Sequence, residues 1–199
     1  MSRSSHLGLQ AGLLFAASAF FFSVGLQGYS HRVHPLGLLG AYGTPHALAF
    51  NLCGFVVPGL LAAWLGWRLR DAVQDDGRWM ARIGAWLAIF SALGLVAQGL
   101  LRLDPRDLDA VSSRLHAASW MLWWIAFVPG ALLLASGLAG RPGWRALALA
   151  SVVAAVLVLL FAIFAPGWMP VAVSHRIAFA CWFGWLTFVG YALGSRLRR

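Results

Sequence analysis

Six long apolar runs without acidic residues or arginines constrain this chain more than any other feature of its sequence. They cover residues 7–28, 46–67, 83–101, 115–138, 146–165 and 177–193. A run of about 18 apolar residues is long enough to cross the hydrocarbon core as a helix. Backbone groups in lipid must be satisfied within such a segment, and the alternation typical of barrel strands is missing. We therefore predict an all-α polytopic membrane protein, a six-transmembrane-helix bundle forming a single domain over residues 1–199.

The charged residues lie between these runs and indicate an orientation. The net charge of +9 comes from 15 Arg without Lys and 6 Asp without Glu. In a soluble chain this excess would suggest a nucleic-acid partner, but here the arginines cluster in residues 68–82, 141–145 and 196–199, with Arg3 in agreement. The positive-inside rule places such segments in the cytoplasm. We predict that both termini are cytoplasmic, that the protein lies in a plasma membrane, and that it binds no nucleic acid.

Three segments on the predicted outer side share a pattern. Residues 29–45, 102–114 and 166–176 each lead into a helix through a hydroxyl residue, namely Thr44, Ser113 and Ser174. Hydroxyl side chains are good N-caps. A histidine follows each of them, so His46, His116 and His175 are expected in or beside the first helical turns. His31 and His34, together with Asp104, Asp107 and Asp109, belong to the same side.

These segments predict an outward-facing polar pocket that binds an anion, such as a lipid phosphate. Helix N-termini carry partial positive charge and unpaired N–H groups, and arginines add full charges. The polar residues Gln27, Asn51 and Gln98 fall within about two turns of the outer end at 1.5 Å per residue. We expect the anion or substrate to be bound by Arg102, Arg114, Arg176, His46, Asn51 and Gln98. The alternative is that the outer arginines lie at the head-group level and pair with Asp104 and Asp107.

The same histidines allow two kinds of chemistry. His116 and His175 are candidate general acid–base groups, with Asp104 orienting one of them. Alternatively, His46, His116 and His175 supply three ligands of a zinc hydrolase site, with Asp104 as fourth ligand or base. The spacing does not favour zinc, since no helix carries His-x-x-x-His, so we expect no cofactor. A small transporter or a non-catalytic partner subunit is a further alternative, and whether the chain is an enzyme stays open.

Several short motifs resemble a bacterial membrane family known as domain of unknown function 998. They are the run from His34 to Gly40, the residues Gly43-Thr44-Pro45-His46, and Leu103-Asp104-Pro105, with Asn51, His116 and Arg176. The resemblance covers nearly the whole chain. It implies a six-helix fold, distantly similar to damage-regulated autophagy modulators, in a bacterial inner membrane. It implies no established reaction, and Gly37 stands where the family pattern Pro-x-Ser-x-Leu-Gly has a serine.

Overall fold

The computed structural model describes residues 6–74 and 78–196, and six helices in this part of the chain are long and apolar enough to cross a membrane. Over the same residues there is no strand. The helices are α1 (Leu7–Val24), α2 (Ala47–Gln74), α3 (Trp79–Leu100), α4 (Val111–Leu138), α5 (Arg145–Gly167) and α6 (Val171–Arg196). The predicted all-α fold with six spanning helices is confirmed. Arg3, Arg198 and Arg199 lie outside the described residues.

Small residues bring α3 and α4 together at the centre of the bundle. A Cβ at Gly84 of α3 would lie 2.5 Å from the carbonyl oxygen of Gly130 in α4, so the two backbones nearly touch. Such small-residue contacts are the usual means of helix packing in lipid, where no hydrophobic effect drives association. In contrast, α1 is peripheral: 22% of its spanning window is buried, against 61% for α3. Its partners are α6 and α2.

Two loops lie at one end of the bundle, which we call the histidine end. Loop 1 (residues 25–46) contains a short 3-10 helix, Leu36–Gly40, and loop 2 (residues 101–110) joins α3 to α4. The helix limits here differ from the prediction. Helix α1 stops at Val24 because residues 25–28 form turns, whereas α4 and α6 begin four and six residues earlier than expected, at Val111 and Val171.

Because α4 and α6 begin earlier, the predicted hydroxyl caps are wrong. Ser113 lies inside α4, and its hydroxyl group donates to the carbonyls of Asp104 and Asp107 in loop 2. Ser174 lies inside α6 and donates to the carbonyl of Phe161 in α5. Thr44 donates to the carbonyl of Leu38 within loop 1 at 2.9 Å. The hydroxyl groups of Ser113 and Ser174 join neighbouring segments, whereas that of Thr44 bonds within its own loop. His116 and Arg176 lie beyond the first helical turn.

Candidate functional site

Two side chains hold loop 1 by the same carbonyl oxygen, that of Gly40. The amide nitrogen of Asn51 donates to it at 2.9 Å, and Nε of Arg102 donates to it at 3.2 Å. Nη2 of Arg102 also donates to Ala41, and the guanidinium lies 4.5 Å from the ring centroid of Tyr42. We call Gly40, Asn51 and Arg102 the Arg102 joint. Both predicted anion binders in it are bonded to loop 1 instead.

Glycine is the only residue that fits at position 40. A Cβ there would lie 1.8 Å from Oδ1 of Asn51, and Asn51 is 2% exposed, so it has little room to move. Asn51 also opens a π-helical segment, Asn51–Val56, near the start of α2. Segments of this kind often mark functional parts of a helix. Here the segment begins with the side chain that holds loop 1.

Loop 1 also passes closely over the ring of His116. Nδ1 of His116 lies 2.8 Å from the carbonyl oxygen of Leu101 and 3.2 Å from that of Gln98. Since a carbonyl only accepts, Nδ1 carries the proton of the neutral ring and Nε2 is an acceptor. A Cβ at residue 37 would lie 2.6 Å from Nε2. Backbone carbonyls therefore orient His116, rather than the predicted Asp104.

Arg176 projects from the second turn of α6 and is half-buried. Nη1 donates to the carbonyl of Ala172 at 2.7 Å, and Nη2 donates to the hydroxyl of Tyr29 at 2.7 Å and to the carbonyl of His34 at 3.0 Å. Its Nε is buried and has no hydrogen-bond partner among the described residues. No carboxylate within these residues pairs with it, since the one ion pair they form is Arg70–Asp71. The predicted pairing of outer arginines with Asp104 and Asp107 is not seen there.

A cavity of about 350 Å³ lies between α4, α6 and the two loops. We call it cavity 1. Four polar residues line it, Gln98, His116, His175 and Arg176, and the rest of the lining is mainly apolar. Gln98 is 2% exposed, and its side-chain nitrogen has no partner in the described part of the chain. The ring of His175 lies 4.3 Å from that of Trp120, another lining residue. Cavity 1 therefore combines apolar walls with four polar side chains, and Gln98 and Arg176 each carry a buried nitrogen without a partner in the described part of the chain.

A second cavity, of about 460 Å³, runs between α1 and α6, and we call it the α1–α6 groove. Its lining is apolar except for His31, Arg176 and Thr187. Leu36 and Arg176 line both cavities. Arg176 is thus the charged group at the boundary between them.

Charge near this boundary at neutral pH comes mainly from Arg176. Burial raises the pKa of Tyr29, and the adjacent Arg176 offsets only part of that rise. Burial also lowers the pKa of His31, and the charge of Arg176 lowers it further. Tyr29 therefore keeps its proton, and His31 is mainly neutral.

Three predicted site residues lie apart from cavity 1. Arg114 is exposed, and it lines neither cavity. The carboxylate of Asp104 accepts the N–H of Arg106 at 3.0 Å and shapes a turn of loop 2. His46 is exposed, has a left-handed backbone with φ 57°, and lines a separate hollow beside α1. Gln98, His116, His175 and Arg176 are the predicted residues that the fold brings together.

The alternative zinc site is not assembled. His116 and His175 line cavity 1, whereas His46 lines the separate hollow. Within residues 6–74 and 78–196, no group of three or more His, Cys, Asp or Glu side chains is placed to hold a metal ion. The three histidines begin similar helices in sequence, but these helices do not turn them towards one point.

Residues 9–192 match the family described as "Protein of unknown function (DUF998)". The chain belongs to this family. Comparison with curated proteins and comparison with solved structures each gave no match. The expected similarity to damage-regulated autophagy modulators therefore stays a prediction, as does the bacterial origin.

The resemblance implies a serine at the position of Gly37, and the space around this residue is restricted. With a Cβ only 2.6 Å from Nε2 of His116, a serine at this position would require the ring or loop 1 to shift. In this member of the family, the imidazole fills the space that a side chain at residue 37 would occupy.

Other site residues carried weaker sequence signals. Trp120 follows His116 by four residues, so both lie on one face of α4, and this spacing could have assigned Trp120 to the site. Tyr29 and the carbonyl of His34 reach Arg176 through the path of loop 1. No periodicity predicts such a path.

Proposed function

We propose that this chain binds an anionic amphiphile in cavity 1 and holds its polar end through Arg176, Gln98 and His116. The observation that carries the proposal is the state of Arg176. Its guanidinium is half-buried and has no carboxylate partner among the described residues, and its Nε is unpaired. An unpaired cation in apolar surroundings is costly. A phosphate or carboxylate would offset this cost through charge-assisted hydrogen bonds.

The other two polar groups indicate what kind of head group fits. The unpaired amide of Gln98 supplies N–H donors, while Nε2 of His116 supplies an acceptor. Together with Arg176 they match an anion that carries or adjoins a hydroxyl group, such as a phosphate monoester or a glycerol phosphate. The apolar walls from Leu36, Trp120 and Phe179 would contact its non-polar part.

We also propose an orientation of the protein and the membrane in which it lies. The arginine-rich segments at the other end of the bundle favour a cytoplasmic location under the positive-inside rule. Both termini would then be cytoplasmic and the histidine end would face outward, in a bacterial plasma membrane. The ligand would be drawn from the outer leaflet.

Lipid retention measured by native mass spectrometry tests the proposal. Delipidated protein is exposed to equal amounts of phosphatidic acid and phosphatidylcholine, and we expect it to retain phosphatidic acid preferentially. Ala117→Phe fills cavity 1, whereas Ala118→Phe changes an exposed neighbour that does not line it. We expect Arg176→Gln to lower retention about tenfold, the value of one charge-assisted hydrogen bond. Ala117→Phe should lower it by a similar factor because the new ring occupies the cavity. Ala118→Phe should retain the lipid as wild type does. Equal retention of the two lipids by wild type, or by the two phenylalanine variants, would contradict the proposal.

A second candidate function is acid–base processing of the same ligand. It is favoured by two histidines lining one cavity, one of which has a free acceptor nitrogen. Incubation with phosphatidic acid and lipid mass spectrometry would detect a product that His116→Gln does not form. If wild type forms no product either, the site is a binding site only.

A further inference from the structure

The α1–α6 groove has the length of one lipid leaflet. Its lining extends along α1 from Phe20 to Leu9 and along α6 from Arg176 to Thr187, eleven residue steps on each helix. At 1.5 Å per residue this is about 16 Å. Half of the hydrocarbon core is about 15 Å. The groove is therefore about as long as one leaflet is thick, and on α1 it ends two residues from the start of the helix at Leu7.

The deep end of the groove is closed by contact between its two helices. A Cβ at residue 8 would lie 2.3 Å from the main-chain carbonyl carbon of Leu186, whereas one at residue 12 would lie 3.2 Å from Cβ of Phe183. A Cβ at Gly184 would meet no atom within 4 Å. The helices touch near Gly8, as its small-residue spacing with Gly12 predicts, and they leave open space beside Gly184. The groove therefore has a floor near Leu9 and Thr187.

The polar groups of the groove lie mainly at its upper end. Arg176 and His31 line that end, and Arg176 also borders cavity 1. At the deep end the hydroxyl of Thr187 already donates to the carbonyl of Phe183 at 2.9 Å. The groove has a charged upper end and is otherwise apolar over about the thickness of one leaflet. This pattern matches a lipid with an anionic head group and one extended acyl chain.

We propose that the ligand of cavity 1 is a long-chain anionic lipid with one acyl chain in the α1–α6 groove, so that Arg176 contacts the junction of head and chain. This inference rests on the proposed function and specifies its ligand. The acyl chain gains little from the hydrophobic effect when it enters the groove, because membrane lipid is equally apolar. It gains van der Waals contacts with a preformed wall, and the anion at Arg176 determines which lipid is held there. Anions without a chain of this length would be held less well.

Photo-crosslinking in nanodiscs tests where the acyl chain of the bound lipid lies. The probes are phosphatidic acid and phosphatidylcholine, each with a diazirine near the end of one chain, and labelled residues are identified by peptide mass spectrometry. We expect the phosphatidic acid probe to label Leu9, Leu13 and Thr187 at least about threefold more than the phosphatidylcholine probe, since Arg176 attracts its head group. Lipid-facing Leu149 on α5 should be labelled equally by both.

Gly184→Leu provides a block at a known depth. Gly184 lies eight residues beyond Arg176, about 12 Å down the groove, and the new side chain has space on its own helix. We expect labelling of Leu9 to fall about threefold or more, since the chain loses its contacts with the floor. Retention of phosphatidic acid should fall less than in Ala117→Phe. Ala118 lines neither cavity, so Ala118→Leu should leave the labelling of Leu9 unchanged.

The outcomes separate this inference from the proposed function. If phosphatidic acid is retained through cavity 1 but the two probes label the groove equally, or if Gly184→Leu labels Leu9 as wild type does, the chain placement is wrong and the proposed function stands. If wild type shows no preference for phosphatidic acid, both are wrong.

Discussion

The Arg102 joint and the surroundings of Arg176 both hold loop 1, but they differ in how their buried donors are paired. The donors of the joint are hydrogen-bonded, whereas two nitrogens near cavity 1 have no partner among the described residues. Arg102 donates through Nε and Nη2 to loop 1 carbonyls, whereas Nε of Arg176 has no partner. The amides differ in the same way: Asn51 and Gln98 are each 2% exposed, and only the amide nitrogen of Asn51 is bonded. A buried unpaired donor costs about 1–3 kcal/mol. The joint contributes stability, whereas beside cavity 1 two costly donors stay unpaired, which is a common feature of functional sites.

The largest expected effect is on the joint. Gly40→Ala would place a Cβ 1.8 Å from Oδ1 of Asn51, and we expect the free energy of unfolding to fall by about 3 kcal/mol, at the upper end for an overpacked core. Gly25→Ala is the control, because a Cβ at Gly25 meets nothing within 4 Å and its φ of −81° suits alanine. The melting temperatures of Gly40→Ala and Gly25→Ala in detergent, each compared with wild type, measure the two effects on stability. Similar melting of the two variants would show that the joint is not tightly packed.

Replacing the two buried amides tests the contrast directly. Asn51→Leu removes a bonded donor, and we expect a loss of about 1–3 kcal/mol in stability. Gln98→Leu removes an unpaired amide of similar volume, so stability should be unchanged or slightly higher. Phosphatidic acid retention should fall in Gln98→Leu and, among the folded molecules, persist in Asn51→Leu. If Gln98→Leu melts as early as Asn51→Leu, Gln98 is a structural residue and the comparison fails.

A smaller effect is expected at Tyr29. Tyr29→Phe removes one of the two acceptors of Nη2 of Arg176, at a cost of about 0.5–1.5 kcal/mol in stability. Nη2 keeps its bond to the carbonyl of His34, but the arginine gains an unpaired N–H near cavity 1, so retention of phosphatidic acid should rise relative to wild type. Tyr42→Phe, which keeps the ring beneath Arg102, is the matched control and should change neither quantity. Lower retention in Tyr29→Phe would indicate that loop 1 itself forms the binding surface.

The smallest effect concerns the ionisation of His31. Its pKa lies below 6.5, first because the ring is partly buried and second because of the charge of Arg176. Arg176→Gln removes only the second cause, so the pKa should rise but stay below 6.5. Titration of the labelled imidazole by NMR measures it. An unchanged pKa would place Arg176 farther from His31 than the groove lining indicates.

Much of the fold follows directly from the sequence. The six apolar runs specify six spanning helices because lipid leaves the backbone no other partners. The helix starts were harder to predict. Ser113 and Ser174 are good N-caps by residue type, but each finds an acceptor in a neighbouring segment, so both helices extend beyond them.

The site was only partly predictable for the same reason. Gln98, His116, His175 and Arg176 were selected by residue type and by their distance from the helix ends, and all four line cavity 1. Arg102 and Asn51 satisfied the same criteria, yet both bind loop 1. Which arginine keeps a free nitrogen depends on where the carbonyls of loop 1 lie, and these positions are set by close approaches at Gly37 and Gly40.

We propose that Arg176 binds a lipid anion between cavity 1 and the α1–α6 groove. An experimental density map of the protein in nanodiscs containing phosphatidic acid and phosphatidylcholine tests it most directly. We expect a head group within hydrogen-bond distance of Nε of Arg176 and the amide of Gln98, with one acyl chain continuing between α1 and α6 to Leu9. A map in which Nε of Arg176 bonds to a protein acceptor, and no head group lies beside it, would show that Arg176 is not a lipid-binding residue.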